Sequence, residues 1–300
     1  MKLGVLSPVV TYHPGTHGEW ERDATIDDLA EVAVAADRLG YHHLTCSEHV
    51  GIPAGELDRR GARYWDPLPT LGYLAARTTR IRLATHVLVL GYHHPLAIAK
   101  RYGTLDLISG GRLVLGVGVG SLREEFDLLG VPFDDRGPRA DEALRALRIA
   151  LSEREPSFRG EHLRFEGLVV DPVAVQERVP IWVGGRTLRS LRRAAALADG
   201  WSPFAVTDEQ VRTWLDRAEL PADFDVVLPT VGVLDPLGEP ERTVEVLGQT
   251  ARCGVTIAQP RFVHHSLAHY VECLEALAEL HDPGGRDRRG ADAGSDDAAN

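Results

Sequence analysis

The sequence predicts an α/β fold, specifically a (β/α)8 TIM barrel, on three observations. Short and almost wholly apolar runs of strand length recur along the chain, as expected for parallel strands that are covered on both faces. Segments of helical periodicity separate them, and eight such strand and helix pairs span about 280 residues. The alternation breaks once, at 152–180, where a polar and β-prone stretch indicates a hairpin-like insertion. A doubly wound sheet is the alternative architecture.

The first half of the chain supplies four strands and four helices. Thr25 caps the first helix and Gly40 stops it, while Pro95 opens a later helix that Gly110 and Gly111 close. Proline fits a first helical turn and glycine fits the position after the last one. The predicted strands are 3–7, 41–46, 81–90 and 113–119, and the last two main helices are 95–109 and 139–151.

The second half continues the pattern after the insertion. Its predicted strands are 181–183, 201–204, 226–233 and 255–262, each followed by a segment of helical periodicity. The final stretch, 282–300, is rich in glycine and charge and has no apolar period, which predicts a disordered tail. We therefore expect a single domain over 1–281.

The composition narrows the class of partner. A formal charge of -11 argues against nucleic acid, since clustered cations supply most of the affinity for phosphate backbones. The three cysteines lie far apart and do not have metal-ligand spacing, and no apolar run approaches the length of a membrane span. We expect a cytoplasmic protein with a small-molecule substrate, no membrane partner and no metal.

Candidate site residues follow from the predicted topology. Active sites of such barrels lie at the carboxyl ends of the strands. The second strand leads into Glu48 and His49, and histidine is suited to proton transfer near neutral pH. His49 could equally be a partly exposed loop residue. Glu48 could orient His49 or a cofactor hydroxyl, or pair with an arginine.

The turn after the fifth strand indicates a phosphate site. Gly184 and Gly185 expose backbone N–H groups, Arg186 adds a cation, and Thr187 precedes a helix whose N-terminus attracts anions. An ordinary glycine turn is the alternative. The glycines at 116, 118 and 120, which we expect to let a ligand approach the backbone, lack the spacing of a dinucleotide fingerprint.

Three motifs together resemble the luciferase-like monooxygenase superfamily over residues 1–280. They are Ser47-Glu48-His49, the stretch ISGGRLVLGVGVGSLREEFDLLGVPFDDRG at 108–137, and VPIWVGG at 179–185. The second motif looks most like the branch that uses the deazaflavin coenzyme F420. The resemblance implies a barrel with the ring of F420, or alternatively FMN, across the strand ends.

The resemblance also implies particular residue roles. A non-prolyl cis peptide between His86 and Val87 would form a bulge after the third strand. Glu48 and His49 would touch the ring as catalytic residues. The remaining cofactor-binding positions implied are His86, Val87, Val119, Gly120, Ser121, Glu124, Gly184, Gly185, Arg186 and Thr187.

The implied activity is hydride transfer between F420 and an unidentified small organic substrate. An FMN-dependent monooxygenase is the second possibility, and a flavin or deazaflavin carrier without catalysis is the third. Relatives that oxidise a sugar phosphate have a glutamate where this chain has Ser121, and a tryptophan where it has Pro53. Sugar-phosphate oxidation is therefore not expected. The superfamily also implies a homodimer.

Overall fold

The structure, a computed structural model, describes residues 1–13 and 17–282. Eight parallel strands form one sheet. They are β1 Lys2–Leu3, β2 His43–Cys46, β3 Arg82–Val89, β4 Leu113–Gly118, β5 Ile181–Gly185, β6 Gly200–Pro203, β7 Asp225–Pro229 and β8 Ile257–Gln259. Their order in the sheet is β1-β8-β7-β6-β5-β4-β3-β2. A parallel bridge between Val5 and Leu44 joins β1 to β2 and closes the ring, which confirms the predicted TIM barrel.

Helices cover the outside of the barrel, and their ends follow the sequence signals. Thr25 accepts a hydrogen bond from the Asp28 N–H at the start of the first helix, and Gly40 ends that helix in the left-handed region. The main helices are α1 Ile26–Leu39, α2 Pro67–Arg77, α3 Pro95–Ser109, α4 Arg136–Ser152, α5 Leu188–Leu197, α6 Asp208–Leu215, α7 Pro240–Arg252 and α8 Leu267–His281.

Strands β7 and β8 are shorter than the sequence predicts. Strand β7 ends at Pro229 rather than at residue 233, and Pro260 follows the end of β8. Proline has no N–H to donate to the neighbouring strand, so each strand ends before its apolar pattern does. Beyond the prolines, a parallel bridge between Leu234 and Phe262 still holds the two loops together.

The barrel interior and the helix layer form separate apolar clusters. Inside the barrel, the Trp182 side chain is fully buried and its indole N–H donates to Asp225 Oδ2 at 3.2 Å. A larger cluster lies between the strands and the helices. The inner cluster consists of Ala84, Val114, Trp182, Val227 and Ile257.

The insertion is a hairpin, as predicted. Phe158–Arg159 pairs antiparallel with Arg164–Phe165, and the Glu142 carboxylate of α4 accepts backbone N–H groups at the hairpin tip. The expected disordered tail lies outside the described residues except for Asp282. Within the described ranges, no helix combines the length and apolar character needed to cross a bilayer.

Candidate active site

A bulge in β3 shapes the centre of the barrel mouth. The register with β4 slips between Thr85 and Leu88, and the His86–Val87 peptide bond is cis. The bulge therefore lies within the strand rather than after it. A Cβ on Gly116 would lie 2.0 Å from the Thr85 carbonyl oxygen, and one on Gly118 would lie 2.8 Å from Val87 Cγ2. The expectation that these two glycines admit a ligand was wrong, because they accommodate the bulge.

His49 is held by a buried carboxylate, that of Glu125 in the short helix Arg123–Leu129. His49 Nδ1 lies 2.9 Å from Glu125 Oε2, and the side chains are 18% and 1% exposed respectively. Tyr92 donates its hydroxyl to the same oxygen at 2.7 Å, and the Val50 N–H donates to Oε1 at 2.7 Å. Burial alone raises the pKa of Glu125, but the hydrogen bonds outweigh it and leave that pKa below its usual value. An ionised Glu125 fixes the hydrogen of His49 on Nδ1 and leaves Nε2 to exchange protons.

Glu48 contacts His93 and not His49. Its Oε1 lies 2.6 Å from His93 Nε2, and its Oε2 accepts the Val89 N–H at 2.7 Å. Glu48 therefore ties the end of β2 to the end of β3 and does not orient His49.

His86 reaches across the barrel interior from the bulge. Its Nε2 lies 2.9 Å from the Ser202 hydroxyl oxygen on β6. Burial lowers the pKa of His86 to about 4, so the imidazole is neutral at physiological pH. The pair fixes the orientation of the bulge side chain.

The residues after β4 divide into buried and exposed groups. Gly120 has a left-handed φ of 81°, and a Cβ there would lie 2.5 Å from Phe126 Cε2. Val119 packs partly against the core, whereas Ser121 and Glu124 are exposed. Glu124 thus faces solvent, and its neighbour Glu125 makes the contact with His49.

The turn after β5 has a tight backbone. Gly185 has a φ of 141°, and a Cβ on it would lie 2.6 Å from Ser190 Cβ. Thr187 accepts the Ser190 N–H with its side chain as the cap of α5, and Arg186 is exposed. No acidic residue stands in the first turn of α5, so the turn keeps the positive end of the helix.

Contacts connect these predicted residues into one region of the mouth. A Cβ on Gly184 would lie 3.0 Å from Val87 Cγ1, so the bulge packs directly against β5. Glu48 contacts the end of β3 through Val89, and His49 contacts it through Glu125 and Tyr92. The strand ends of β2, β3, β4 and β5 are therefore neighbours, as the sequence reasoning required.

The sequence reasoning did not predict two contacts that support His49, those made by Glu125 and Tyr64. Glu125 lies three residues after Leu122 and directly before Phe126, both buried, so helical spacing could have placed its carboxylate on the buried face. Tyr64 packs edge-on against the His49 ring with centroids 4.4 Å apart. Nothing in its sequence surroundings indicates that contact. Among the described residues, no group of three or more His, Cys, Asp or Glu could hold a metal ion.

Several known proteins are similar to this chain in sequence. An uncharacterised protein of Mycobacterium tuberculosis is 32% identical over 265 residues, covering 82% of this chain and 92% of that protein. An F420-dependent glucose-6-phosphate dehydrogenase of Microbacterium testaceum is 29% identical over 194 residues, 62% of this chain and 55% of its own length. The 4-hydroxyprotoasukamycin monooxygenase of Streptomyces nodosus subsp. asukaensis is 36% identical over 129 residues, 43% of this chain and 33% of its own.

Solved structures share the fold at lower identity. The monooxygenase RslO1 from Streptomyces bottropensis superposes with a TM-score of 0.73 at 24% identity, covering 94% of this chain and 99% of that one. The FMN-bound oxygenating constituent of 3,6-diketocamphane monooxygenase from Pseudomonas putida gives 0.69 at 15% identity, covering 95% and 98%. A family model described as luciferase-like monooxygenase matches residues 1–234. The chain belongs to the luciferase-like monooxygenase family.

Proposed function

We propose that the chain binds coenzyme F420 and passes a hydride between this deazaflavin and a small organic substrate. The observation that carries the proposal is the Glu125–His49 pair, which stands beside the β3 bulge at the barrel mouth. The similarity to an F420-dependent dehydrogenase supports the choice of cofactor. The departures at Ser121 and Pro53 argue against glucose 6-phosphate as the substrate.

The turn after β5 fits the phosphate of such a cofactor. The substitution of any side chain at Gly185 would crowd Ser190, so the backbone stays accessible only with glycine. The Ser190 N–H already donates to Thr187, but the Leu188 and Arg189 N–H groups at the start of α5 have no acceptor within the helix, which makes them donors for an anion. The Thr187 hydroxyl oxygen accepts from Ser190, and its hydrogen can still be donated to a phosphate oxygen.

Cations near this turn suit the anionic tail of F420. In a protein of charge -11, exposed Arg186 and Arg189 have no ion pair among the described residues. Three cations of α3 and α4 have local partners. Arg139 pairs with Asp135, Arg136 stacks on Phe133, and Lys100 donates to a backbone carbonyl. We assign the tail contact to the two arginines of α5.

His49 would serve the reaction as a proton donor or acceptor. A bound deazaflavin would supply or accept the hydride and would activate oxygen poorly. His49 Nε2 has no partner in the described ranges, while Nδ1 is fixed by Glu125. The imidazole can therefore give a proton to a substrate oxygen, or take one from it, without changing its orientation.

An FMN-dependent monooxygenase is the second candidate. The 36% identity to 4-hydroxyprotoasukamycin monooxygenase over 129 residues favours it. The same glycine turn would hold the FMN phosphate. Uptake of labelled oxygen into a product in the presence of reduced FMN would select this candidate over a dehydrogenase.

Equilibrium titration tests the proposal. We expect F420 to quench or enhance protein fluorescence with a Kd below about 100 μM, a binding free energy of roughly 5–6 kcal/mol. Replacing Arg186 and Arg189 with alanine should weaken the binding of F420 more than the binding of FMN, because FMN lacks the oligoglutamate tail of F420. Arg242→Ala on α7 is the matched control and should change neither affinity. Failure to bind either cofactor would refute the proposal.

A turnover assay distinguishes an enzyme from a carrier protein. A carrier without catalytic activity would bind F420 and show no turnover with a broad panel of alcohols and ketones. For the enzyme, His49→Ala should lower kcat by about 100-fold or more while F420 binding persists, since general acid-base catalysis contributes about that much. An unchanged kcat would remove His49 from the mechanism.

A further inference from the structure

Exposed apolar side chains stand along one half of the barrel mouth. Strand β6 establishes the pattern, because Ser202 bonds His86 inside the barrel while Trp201 donates to Ser190 on the helix side. Side chains alternate along a strand, so Phe204 follows Ser202 toward the interior. Phe204 is 49% exposed and therefore stands open at the rim.

The loops after β7 and β8 also carry exposed apolar side chains. Val231 and Val263 lie two and four residues beyond the last strand residues, Pro229 and Gln259. The side chains of Leu234 and Phe262 in the same loops are buried. Val231 and Val263 are each 53% exposed.

The loops that carry these side chains are fixed. The Leu234 N–H donates to the Arg261 carbonyl at 2.7 Å, and the Val263 N–H donates to the Leu234 carbonyl at 2.8 Å. Ala205, directly after Phe204, has a positive φ of 49°, which is unusual for alanine. Backbone of this kind concentrates at functional sites.

The other half of the mouth is polar. Glu48, His49 and His86 stand at the ends of β2 and β3, across the barrel from β6 and β7 in the strand order. Arg261, which is exposed in the loop after β8, places a positive charge next to these apolar side chains in the sequence. The mouth thus presents hydrogen-bonding groups on one side and an apolar wall on the other.

Resting on the proposed function, we propose that the substrate is a hydrophobic molecule with a single reacting oxygen. Its apolar body lies against Phe204, Val231 and Val263, and its hydroxyl or carbonyl oxygen faces His49 Nε2. A sugar or another polyhydroxylated molecule would leave hydroxyl groups without partners against this wall, at a cost in binding.

A neutral fluorescent ketone tests the wall without any cofactor. The probe is 6-propionyl-2-(dimethylamino)naphthalene, whose emission shifts to the blue in apolar surroundings, titrated into the full chain. We expect Phe204→Ala to raise its Kd by about tenfold, and a Val231→Thr and Val263→Thr double variant by about fivefold, from the apolar area lost. These side chains are exposed, so the variants should keep the melting temperature of the parent protein.

Two control variants test whether the change in the Kd of the probe comes from the apolar wall. Ile108→Thr changes another exposed apolar residue, 63% exposed at the end of α3, and Arg261→Gln removes the rim charge but leaves the wall intact. Neither should change the Kd of the neutral probe by more than about twofold. Equal effects of Ile108→Thr and Phe204→Ala, or no binding at all, would overturn the proposed wall.

Turnover gives the second measurement. With reduced F420 as the hydride donor, kcat/KM for the reduction of 2-alkanones from four to eight carbons should rise about fourfold per methylene, the value of burying one CH2 group. A flat series would contradict the substrate class. Because the probe titration needs no F420, its result stands even if the protein fails to bind F420.

Discussion

Replacing Glu125 with glutamine should disable the support of His49 while keeping its shape. The carboxylate is 1% exposed and accepts hydrogen bonds from His49 Nδ1 at 2.9 Å, from the Tyr92 hydroxyl at 2.7 Å, and from the Val50 N–H at 2.7 Å. The Gly51 N–H adds a fourth at 3.2 Å. Glutamine offers one acceptor oxygen and an amide that only donates, so one side of the cluster would face donor against donor.

The magnitude follows from the number of bonds lost. Two bonds to a charged acceptor, each worth about 1.5–3 kcal/mol, would be lost or inverted, and rearrangement would recover part of that. We expect the free energy of unfolding to fall by about 2–4 kcal/mol. The kcat should fall by about tenfold or more, because His49 loses the partner that fixes its tautomer, while the KM changes little.

Urea unfolding and steady-state kinetics are the assays, and Glu124→Gln is the matched control. Glu124 is exposed, so its variant should stay within about 0.5 kcal/mol of the parent protein. The pH profile of kcat should also shift in Glu125→Gln, a change that a merely structural loss would not produce. If the two variants behave alike, the reasoning about Glu125 is refuted.

Two further predictions concern stability. Burial lowers the pKa of both His42 and His86 to about 4, below the value near 6.5 of an unfolded histidine. In this pH range the unfolded chain binds protons on these histidines and the folded chain does not. The free energy of unfolding therefore falls as the pH drops from about 6.5 toward 4, by up to roughly 3 kcal/mol per imidazole. Urea midpoints that stay constant between pH 7 and 5 would contradict this prediction. Gly185→Ala should destabilise the protein by about 1–3 kcal/mol and weaken the binding of F420, because the Cβ of the alanine would collide with Ser190. Gly130→Ala is the comparison, since a Cβ there meets nothing within 4 Å; equal effects of the two on F420 binding would argue against a phosphate site at the turn.

The architecture could be predicted from the sequence because its signals are local and repeated. Apolar runs of strand length, Pro95 at a helix start and Gly110 at its end each act over a few residues. The hairpin at 158–165 was recognisable for the same reason. Strand ends were less accurate where Pro229 and Pro260 cut the ladder inside an apolar run.

The site could be predicted at the level of strand ends but not at the level of partners. Glu48 and His49 are adjacent in sequence, yet their hydrogen bonds go to His93 and Glu125. Those pairings depend on how the loops after β3 and β4 pack, which no single-segment pattern contains. The glycines of β4 were similarly misjudged, because the bulge that fills their space comes from a different strand.

The most direct test of the account is a crystal structure of the protein with F420. We predict that the ring lies against the His86–Val87 bulge, with His49 Nε2 within about 3.2 Å of the reacting face or of a bound substrate oxygen. The phosphate should contact the turn from Gly184 to Thr187. A ring bound elsewhere, or a phosphate remote from α5, would contradict the assignment of this mouth as the active site.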